Sequence, residues 1–168
     1  MTDITRHKVG MYGGKFFPLH KGHAMCIDRC CQECDVAYII LFINGAQERR
    51  YRPTKWERNY LTPEYREAQC RGYLREYPNA ILKVIDCRNL TDENGDDDWH
   101  REAEEIRKGI PRLDAVYGSE PDYADIFKDI YPEAEYILVD PQRKDVPISS
   151  TELRKMIRVG EEWREWII

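Results

Sequence analysis

The chain has 168 residues, of which 34% are charged and 42% hydrophobic, and its net charge is −5. This length predicts a single domain over residues 1–168 that can bury a core without the support of disulfides or metal sites. The acidic net charge argues against binding nucleic acid through overall electrostatic attraction. No apolar run approaches the ~18 residues of a membrane span, and the first ten residues lack the apolar centre of a signal peptide. We therefore expect a cytoplasmic protein without a membrane partner.

Short apolar strands alternate with helices along the chain. Predicted strands cover 8–12, 36–43, 81–85, 115–117 and 136–139, and predicted helices cover 21–33, 62–77, 99–108, 123–130 and a segment from about 149. Strict alternation predicts an α/β fold, a Rossmann-like doubly wound parallel sheet with helices on both faces. Such sheets bind ligands at the carboxyl ends of their strands, so the first strand–helix turn is the favoured place.

Four of the six cysteines fall within nine residues, on the first predicted helix. Cys26, Cys30 and Cys34 would share one face of that helix at i, i+4 spacing. A zinc site usually takes ligands from two separate elements, and neighbouring helical cysteines are poorly placed to bridge each other. We interpret this cluster, which includes Cys31, as reduced and buried small apolar side chains. A metal or redox role is the alternative.

The first strand–helix turn carries two histidines in the stretch GGKFFPLHKGH, residues 13–23. His20 and His23 could be zinc ligands, although no third ligand is evident, or core residues, or contacts to phosphate. The start of a helix offers unpaired N–H groups and a partial positive charge, which bind anions. Gly22 would let a ligand approach the backbone closely. This stretch alone leaves the three interpretations open.

A second stretch, ISSTELR at residues 148–154, favours the phosphate interpretation. Ser149 and Glu152 form an S-x-x-E capping box, which predicts a second helix start. Arg154 lies one turn into that helix and could reach the same anion with its fork of donors. Alone, the stretch is compatible with an ordinary capped surface helix. Paired with the histidine turn, it predicts two helix N-termini that together hold a chain of phosphates.

The two motifs together resemble those of the nucleotidyltransferases that carry H-x-G-H and I-S-S-T-x-x-R. Residues 14–23 contain the whole G-x-F-x-P-x-H-x-G-H pattern, and residues 117–127 and 137–154 resemble the nicotinamide mononucleotide adenylyltransferases of the NadR type. The kinase loop of that type, G-x-x-x-x-G-K-[ST], does not occur in the sequence, so we expect no phosphorylation of the riboside. The alternatives are another branch, acting on pantetheine phosphate, FMN or CTP, and a non-catalytic nucleotide-binding regulator.

The resemblance implies that the protein joins ATP to nicotinamide mononucleotide, with Mg²⁺ bridging the phosphates and no metal ligand from the protein. It implies catalytic roles for His20, His23 and Arg154. The expected ATP-binding residues are Gly14, Lys15, Phe16, Gly22, Ser149, Ser150 and Thr151. The expected acceptor-binding residues are Trp99, Arg66, Tyr117, Ser119, Glu120, Asp140 and Arg143.

Several assignments stay open at this point. Trp99 is expected to stack on the nicotinamide ring, or else to anchor its own helix. Arg66 is expected to face a phosphate. The basic loop at residues 48–58 is either a lid over the triphosphate or a solvated face, and the acidic run at 92–98 is better explained as a solvated loop than as a metal site. The sequence does not decide whether the acceptor is nicotinamide or nicotinate mononucleotide, or whether the protein forms a homo-oligomer. It also leaves open whether the tail at 163–168 packs on this chain or on a partner.

Overall fold

The computed structural model describes residues 6–110 and 112–168, so the first five of the ten residues considered for a signal peptide lie outside the described residues. One sheet contains the strands β1 (His7–Gly14), β2 (Cys34–Ile43), β3 (Ala80–Asp86), β4 (Ala115–Gly118) and β5 (Glu135–Leu138). Every pairing is parallel and the order is β3-β2-β1-β4-β5. The predicted parallel α/β sheet is confirmed, and no helix in the described ranges is long and apolar enough to cross a membrane.

The α-helices of the described ranges are α1 (Lys21–Glu33), α2 (Ala46–Arg50), α3 (Lys55–Leu61), α4 (Pro63–Leu74), α5 (Trp99–Arg107), α6 (Ala124–Ile130) and, after the last strand, α7 (Ser150–Val159). The bounds predicted for α1 are confirmed. The prediction of one helix between β2 and β3 is wrong, since α2 and α3 occupy most of the stretch expected to be a loop. Thr54 starts α3 by accepting a hydrogen bond from the Glu57 N–H, and Glu57 returns a bond to the backbone of Thr54.

Both faces of the sheet are covered, as the continuous apolar strands predicted. On one face, Tyr12 and Ile39 belong to a buried cluster that includes Ile27 of α1. On the other face, Met11 and Ile40 belong to a cluster with residues of α5. Strand order reverses at β1, because β2 and β3 lie on one side of it and β4 and β5 on the other. The carboxyl ends of β1 and β4 are therefore the expected edges of a ligand site.

The six cysteines are all free and buried, as predicted for the four in the cluster at 26–34. Cys34, however, is the first residue of β2 and not part of α1, because its backbone is already extended (φ −121°, ψ 147°) and pairs with His7. Within the described ranges, no group of three His, Cys, Asp or Glu side chains is placed to hold a metal ion. A redox role for the cluster is untested.

Candidate active site

A pocket of about 400 Å³ lies at the carboxyl ends of β1 and β4. All of the predicted site residues except Arg66 line this pocket. It is bounded by the N-termini of α1 and α7 on one side and by α5 and α6 on the other. The fold thus brings together residues that lie more than a hundred positions apart in the sequence.

The two histidines hold the start of α1 through their Nδ1 atoms. His20 is the N-cap residue, and its Nδ1 accepts a hydrogen bond from the Gly22 N–H at 3.0 Å. His23 Nδ1 accepts from the His20 N–H at 3.2 Å, and the ring centroids lie 3.7 Å apart. A Cβ on Gly22 would lie 2.8 Å from His20 Cε1. The glycine therefore makes room for the His20 ring. It also lines the pocket, and the approach of a ligand to its backbone stays a prediction.

Both imidazoles are neutral near pH 7. Burial, with a contribution from the charge of Arg143, lowers the pKa of His20 to about 4. Burial, followed by the neighbouring His20, lowers the pKa of His23 well below its ordinary value. Because each Nδ1 accepts a hydrogen bond, the remaining proton of each neutral ring is assigned to Nε2. Neither Nε2 bonds to an acceptor in the described part of the chain, so both N–H groups are available to a ligand in the pocket.

The low pKa of His20 predicts acid-sensitive stability. Below pH 6.5 the unfolded chain takes up a proton that folded His20 refuses until about pH 4, so the free energy of unfolding falls across this interval. In His20→Asn the amide oxygen can still cap α1. The fall between pH 7.5 and pH 4.5 should therefore be smaller than in the wild type by roughly 2–3 kcal/mol. Urea unfolding at both pH values measures this difference. His100→Asn, at an exposed histidine, is the control and should behave as the wild type does.

The start of α7 lies against the loop that precedes α1. Ser149 caps α7 by accepting a bond from the Glu152 N–H at 3.2 Å, as predicted. The return bond differs from a capping box, because the Glu152 carboxylate accepts from the Ser149 hydroxyl at 2.9 Å and not from its backbone. Ser150 Oγ donates to the Pro18 carbonyl at 3.4 Å. The two predicted helix N-termini are therefore neighbours.

Arg154 is buried at the edge of the pocket, with 6% of its surface exposed. Its Nη1 donates to the Phe17 carbonyl at 2.7 Å, and Nη2 donates to Thr151 Oγ1 at 3.4 Å. The guanidinium also lies over the rings of Phe17 and Tyr51, at 5.0 and 5.3 Å from their centroids. Burial lowers the pKa of Arg154 from its ordinary value, but arginine remains charged at neutral pH.

Tyr51 is a residue that sequence reasoning missed. It belongs to the segment at 48–58, whose five basic side chains do not line the main pocket. Its hydroxyl donates to Glu57 Oε1 at 2.8 Å and accepts from Arg158 Nη2 at 2.8 Å. This network joins α3 to α7 and holds the Tyr51 ring over Arg154. The only sequence signal was an aromatic residue among charged ones, which does not predict such a contact.

Arg66 lies outside the pocket, which corrects the expectation that it faces an acceptor phosphate. Its side chain is fully buried, and Nη1 donates to the Lys15 carbonyl at 2.8 Å while Nε donates to the Leu61 carbonyl at 3.1 Å. It also forms an ion pair with Glu48. Its donors are satisfied by the protein, so Arg66 holds the backbone at Lys15. The Lys15 side chain reaches the pocket and donates to Gln47 Oε1 at 3.2 Å.

Trp99 stands in an aromatic wall where α5 and α6 border the pocket. It is the first residue of α5, after the capping side chain of Asp98. Its ring lies edge-on to Tyr123 at 5.0 Å and stacks with Phe127 at 5.8 Å. Tyr123 and Phe127 were not among the predicted site residues, although both fall in the stretch that carries the resemblance. The ring of Trp99 is half-buried and lines the pocket.

The remaining predicted residues shape the strand ends and the loop before α7. Asp140 accepts backbone N–H bonds from residues 144–146, and these bonds, that of Val146 first, hold its pKa below the ordinary value. Arg143 donates to the Ile148 carbonyl at 2.8 Å and to Glu120 Oε1 at 3.0 Å.

At the end of β4, Tyr117 turns its hydroxyl away to Glu33, donating at 2.9 Å. Ser119 Oγ lies 3.2 Å from the Cys26 thiol. Phe16 is fully buried against His23, with ring centroids 5.0 Å apart. These side chains therefore shape the pocket by packing, while their polar atoms have partners in the protein.

The C-terminal tail packs against the same region of this chain. Trp163 is 7% exposed, and its ring lies edge-on to Tyr60 at 4.5 Å. Ile167 pairs with His20 in an antiparallel bridge. The tail thereby supports the backbone of the residue that caps α1, which answers a question that the sequence left open.

Comparisons with known proteins agree with this geometry. Residues 11–156 match the family model described as cytidylyltransferase-like. The chain is 27% identical over 164 residues to the trifunctional NAD biosynthesis/regulator protein NadR of Escherichia coli, covering 91% of this chain and 38% of that protein. It is also 27% identical over 161 residues to a nicotinamide-nucleotide adenylyltransferase of Thermococcus kodakarensis, covering 95% of this chain and 78% of the relative.

Two solved structures share the fold. A NadR protein in complex with NAD and AMP-PNP superimposes with a TM-score of 0.62 at 22% identity, over 89% of this chain and 42% of that one. A bifunctional NMN adenylyltransferase/ADP ribose pyrophosphatase from Francisella tularensis gives a TM-score of 0.67 at 18% identity, over 96% and 45%. The chain thus spans less than half the length of these larger proteins. Since the family match runs through both helix N-termini and the sheet between them, the chain belongs to the cytidylyltransferase-like family.

Proposed function

We propose that this protein transfers the adenylyl group of ATP to nicotinamide mononucleotide, forming NAD and releasing pyrophosphate. The main support for the proposal is that the N-termini of α1 and α7 border the same pocket. His20 and His23 line it from α1, and Arg154 lines it from α7. The names of the relatives supply the acceptor, and the aromatic wall at Trp99 is suited to a flat ring.

The proposed reaction is a displacement at the α-phosphorus of ATP. An oxygen of the mononucleotide phosphate forms the new bond, and the bond from the α-phosphorus to the oxygen that bridges to the β-phosphate breaks. The attacking phosphate is already an anion, so the protein needs no general base. Catalysis then depends on positioning and on donors for the charge that grows on the pyrophosphate. Neutral His20 and His23 would donate through Nε2, and Arg154 with the N-terminus of α7 would hold the β- and γ-phosphates.

Mg²⁺ is proposed to enter with ATP and to offset the charge of the phosphates. The described residues contain no cluster of three potential metal ligands. The phosphate side of the pocket instead offers N–H, hydroxyl and cationic donors. Phosphate oxygens and water would therefore supply most of the ligands, a coordination that Mg²⁺ commonly adopts.

A cytoplasmic location is part of the proposal. Six free, buried cysteines fit a reducing compartment. The proposed use of ATP points to the same place. A fluorescent fusion of the full chain, imaged in its source cells, tests this part.

A substrate panel tests the proposal. ATP and CTP are each combined with nicotinamide mononucleotide, pantetheine phosphate and FMN, and pyrophosphate release is measured. We expect release with ATP and nicotinamide mononucleotide. Release with another pair would assign the protein to another branch, and tight nucleotide binding without release from any pair would indicate a regulator.

The aromatic wall predicts a selective effect of Trp99→Ala. Loss of a stacking ring costs about 1–3 kcal/mol, so KM for nicotinamide mononucleotide should rise roughly 5- to 150-fold. KM for ATP should change much less. Steady-state kinetics with each substrate varied in turn measure the two effects. Trp56→Ala is a matched control because Trp56 is 70% exposed on α3 and does not line the pocket. Equal weakening of both substrates with a lower melting temperature would mean that Trp99 only anchors its helix.

A further inference from the structure

The Glu102 carboxylate lies on the helix face that carries Trp99 of the aromatic wall. Trp99, Glu102 and Ile106 occupy positions i, i+3 and i+7 of α5, which share one helix face, and all three line the pocket. Apolar and aromatic side chains line the pocket beside it, among them Phe42, Val116, Phe127, Ile130 and Tyr131. Cys87, Asp97 and Lys15, which also line the pocket, act on the Glu102 carboxylate. Of the pocket-lining side chains that α5 and α6 contribute, Glu102 alone is charged.

Glu102 has no cation of its own. No Lys, Arg or His nitrogen lies within 4.0 Å of its carboxylate in the described residues. The positive charge of Lys15 acts on it, but the Lys15 ammonium bonds to Gln47 at 3.2 Å and lies 3.9 Å from Asp97. Burial, with a contribution from nearby Asp97, raises the pKa of Glu102 to about 7 against the opposing effects of the Cys87 thiol and Lys15. A donor or a positive charge from a ligand would stabilise this carboxylate.

We propose that Glu102 accepts a hydrogen bond from the carboxamide of the acceptor and thereby selects nicotinamide mononucleotide over nicotinate mononucleotide. This inference rests on the proposed adenylyl transfer. Nicotinamide mononucleotide brings an N–H donor and a positively charged ring, and both complement a carboxylate. The nicotinate carboxylate would meet a like charge in a poorly solvated compartment, and such repulsion is a common source of specificity.

The arginines of the pocket do not offer a nicotinate carboxylate an alternative partner at this position. Arg143 donates to the Ile148 carbonyl and to Glu120. Arg154 donates to the Phe17 carbonyl and to Thr151, at the phosphate side. The lining near Glu102 therefore offers a carboxylate and no free arginine, and the cation that acts on it, Lys15, already contacts Gln47 and Asp97. This arrangement favours an amide over an acid.

The ratio of kcat/KM for the two mononucleotides, measured with ATP, tests the inference. Both values come from one preparation, so the fraction of active protein cancels in the ratio. We expect the wild type to favour the amide by on the order of 100-fold or more, and Glu102→Gln to reduce this preference at least 10-fold, chiefly by improving use of the acid. Glu102→Asp, which keeps the charge, should retain most of the preference.

Glu105→Gln is the matched control, because Glu105 lies on the same helix, pairs with Lys108 and does not line the pocket. It should leave the ratio unchanged. A wild type that favours nicotinate, or a ratio that Glu102→Gln leaves unaltered, would overturn the inference. If neither acceptor is turned over, the result would instead contradict the proposed function. Should Glu102→Gln lose turnover, calorimetric affinities of that variant for the two acceptors decide the question in the same way.

Discussion

Replacing His23 with alanine is expected to lower kcat by a factor on the order of 10² to 10³ while changing KM for ATP far less. The reason lies in the tautomer. His23 Nδ1 accepts from the His20 N–H, so its proton sits on Nε2, where no described residue accepts it. In the proposed reaction the hydrogen bond from this N–H to the phosphates becomes stronger as negative charge develops on them. Its loss should therefore raise the barrier more than it weakens binding of the substrate.

Two further substitutions separate chemistry from structure at this position. Asparagine can replace the Nδ1 acceptor and preserve the start of α1, but it cannot place a donor where Nε2 lies. Glutamine is long enough to place an N–H near that position. We expect His23→Asn to fold well and remain slow, and His23→Gln to recover part of kcat. Steady-state kinetics and melting temperatures measure these outcomes. Near-wild-type turnover in His23→Ala would return this histidine to a packing role.

Replacing Arg66 with methionine is expected to lower the free energy of unfolding by about 3–5 kcal/mol, as breaking a buried ion pair does. The substitution leaves the partly buried carboxylate of Glu48 without its partner. It also removes the donor to the Lys15 carbonyl at 2.8 Å and the donor to the Leu61 carbonyl at 3.1 Å. Urea unfolding measures the loss.

A double substitution tests whether the ion pair accounts for this loss. Combining Arg66→Met with Glu48→Gln should recover part of the stability, because the uncompensated charge is gone. Arg71→Met is the matched control on the same helix, since its pair with Glu67 is exposed. That change should cost about 1 kcal/mol or less. If Arg66→Met unfolds with nearly the wild-type free energy but binds the acceptor poorly, the result would support the original prediction that Arg66 contacts a phosphate.

Most of the fold could be predicted from the sequence because the local sequence patterns agree with the architecture of the sheet. The run at 36–43 is apolar throughout, as a strand buried on both faces must be, and Thr62 with Pro63 starts α4 as predicted. The two motifs also predicted their own neighbourhood. Both motifs lie at helix starts, and helix starts can be predicted from capping residues.

The misses share a physical cause, which is tertiary contact between distant segments. The role of Arg66 depends on the carbonyls of Lys15 and Leu61, and no local pattern shows that these three groups converge. Tyr51 lies over Arg154 because Glu57 and Arg158 hold it there. Likewise, Glu102 was one acid among many on an amphipathic helix until the fold placed it beside the aromatic wall.

The fate of labelled phosphate tests the central claim most directly. ATP labelled at the α-phosphorus, and ATP labelled at the γ-phosphorus, are each incubated with nicotinamide mononucleotide and the full chain, and the products are separated. Adenylyl transfer places the α-label in NAD and the γ-label in pyrophosphate, with the two products in equal amounts. A γ-label that appears on the acceptor or as free phosphate, with no α-label in NAD, would contradict the account.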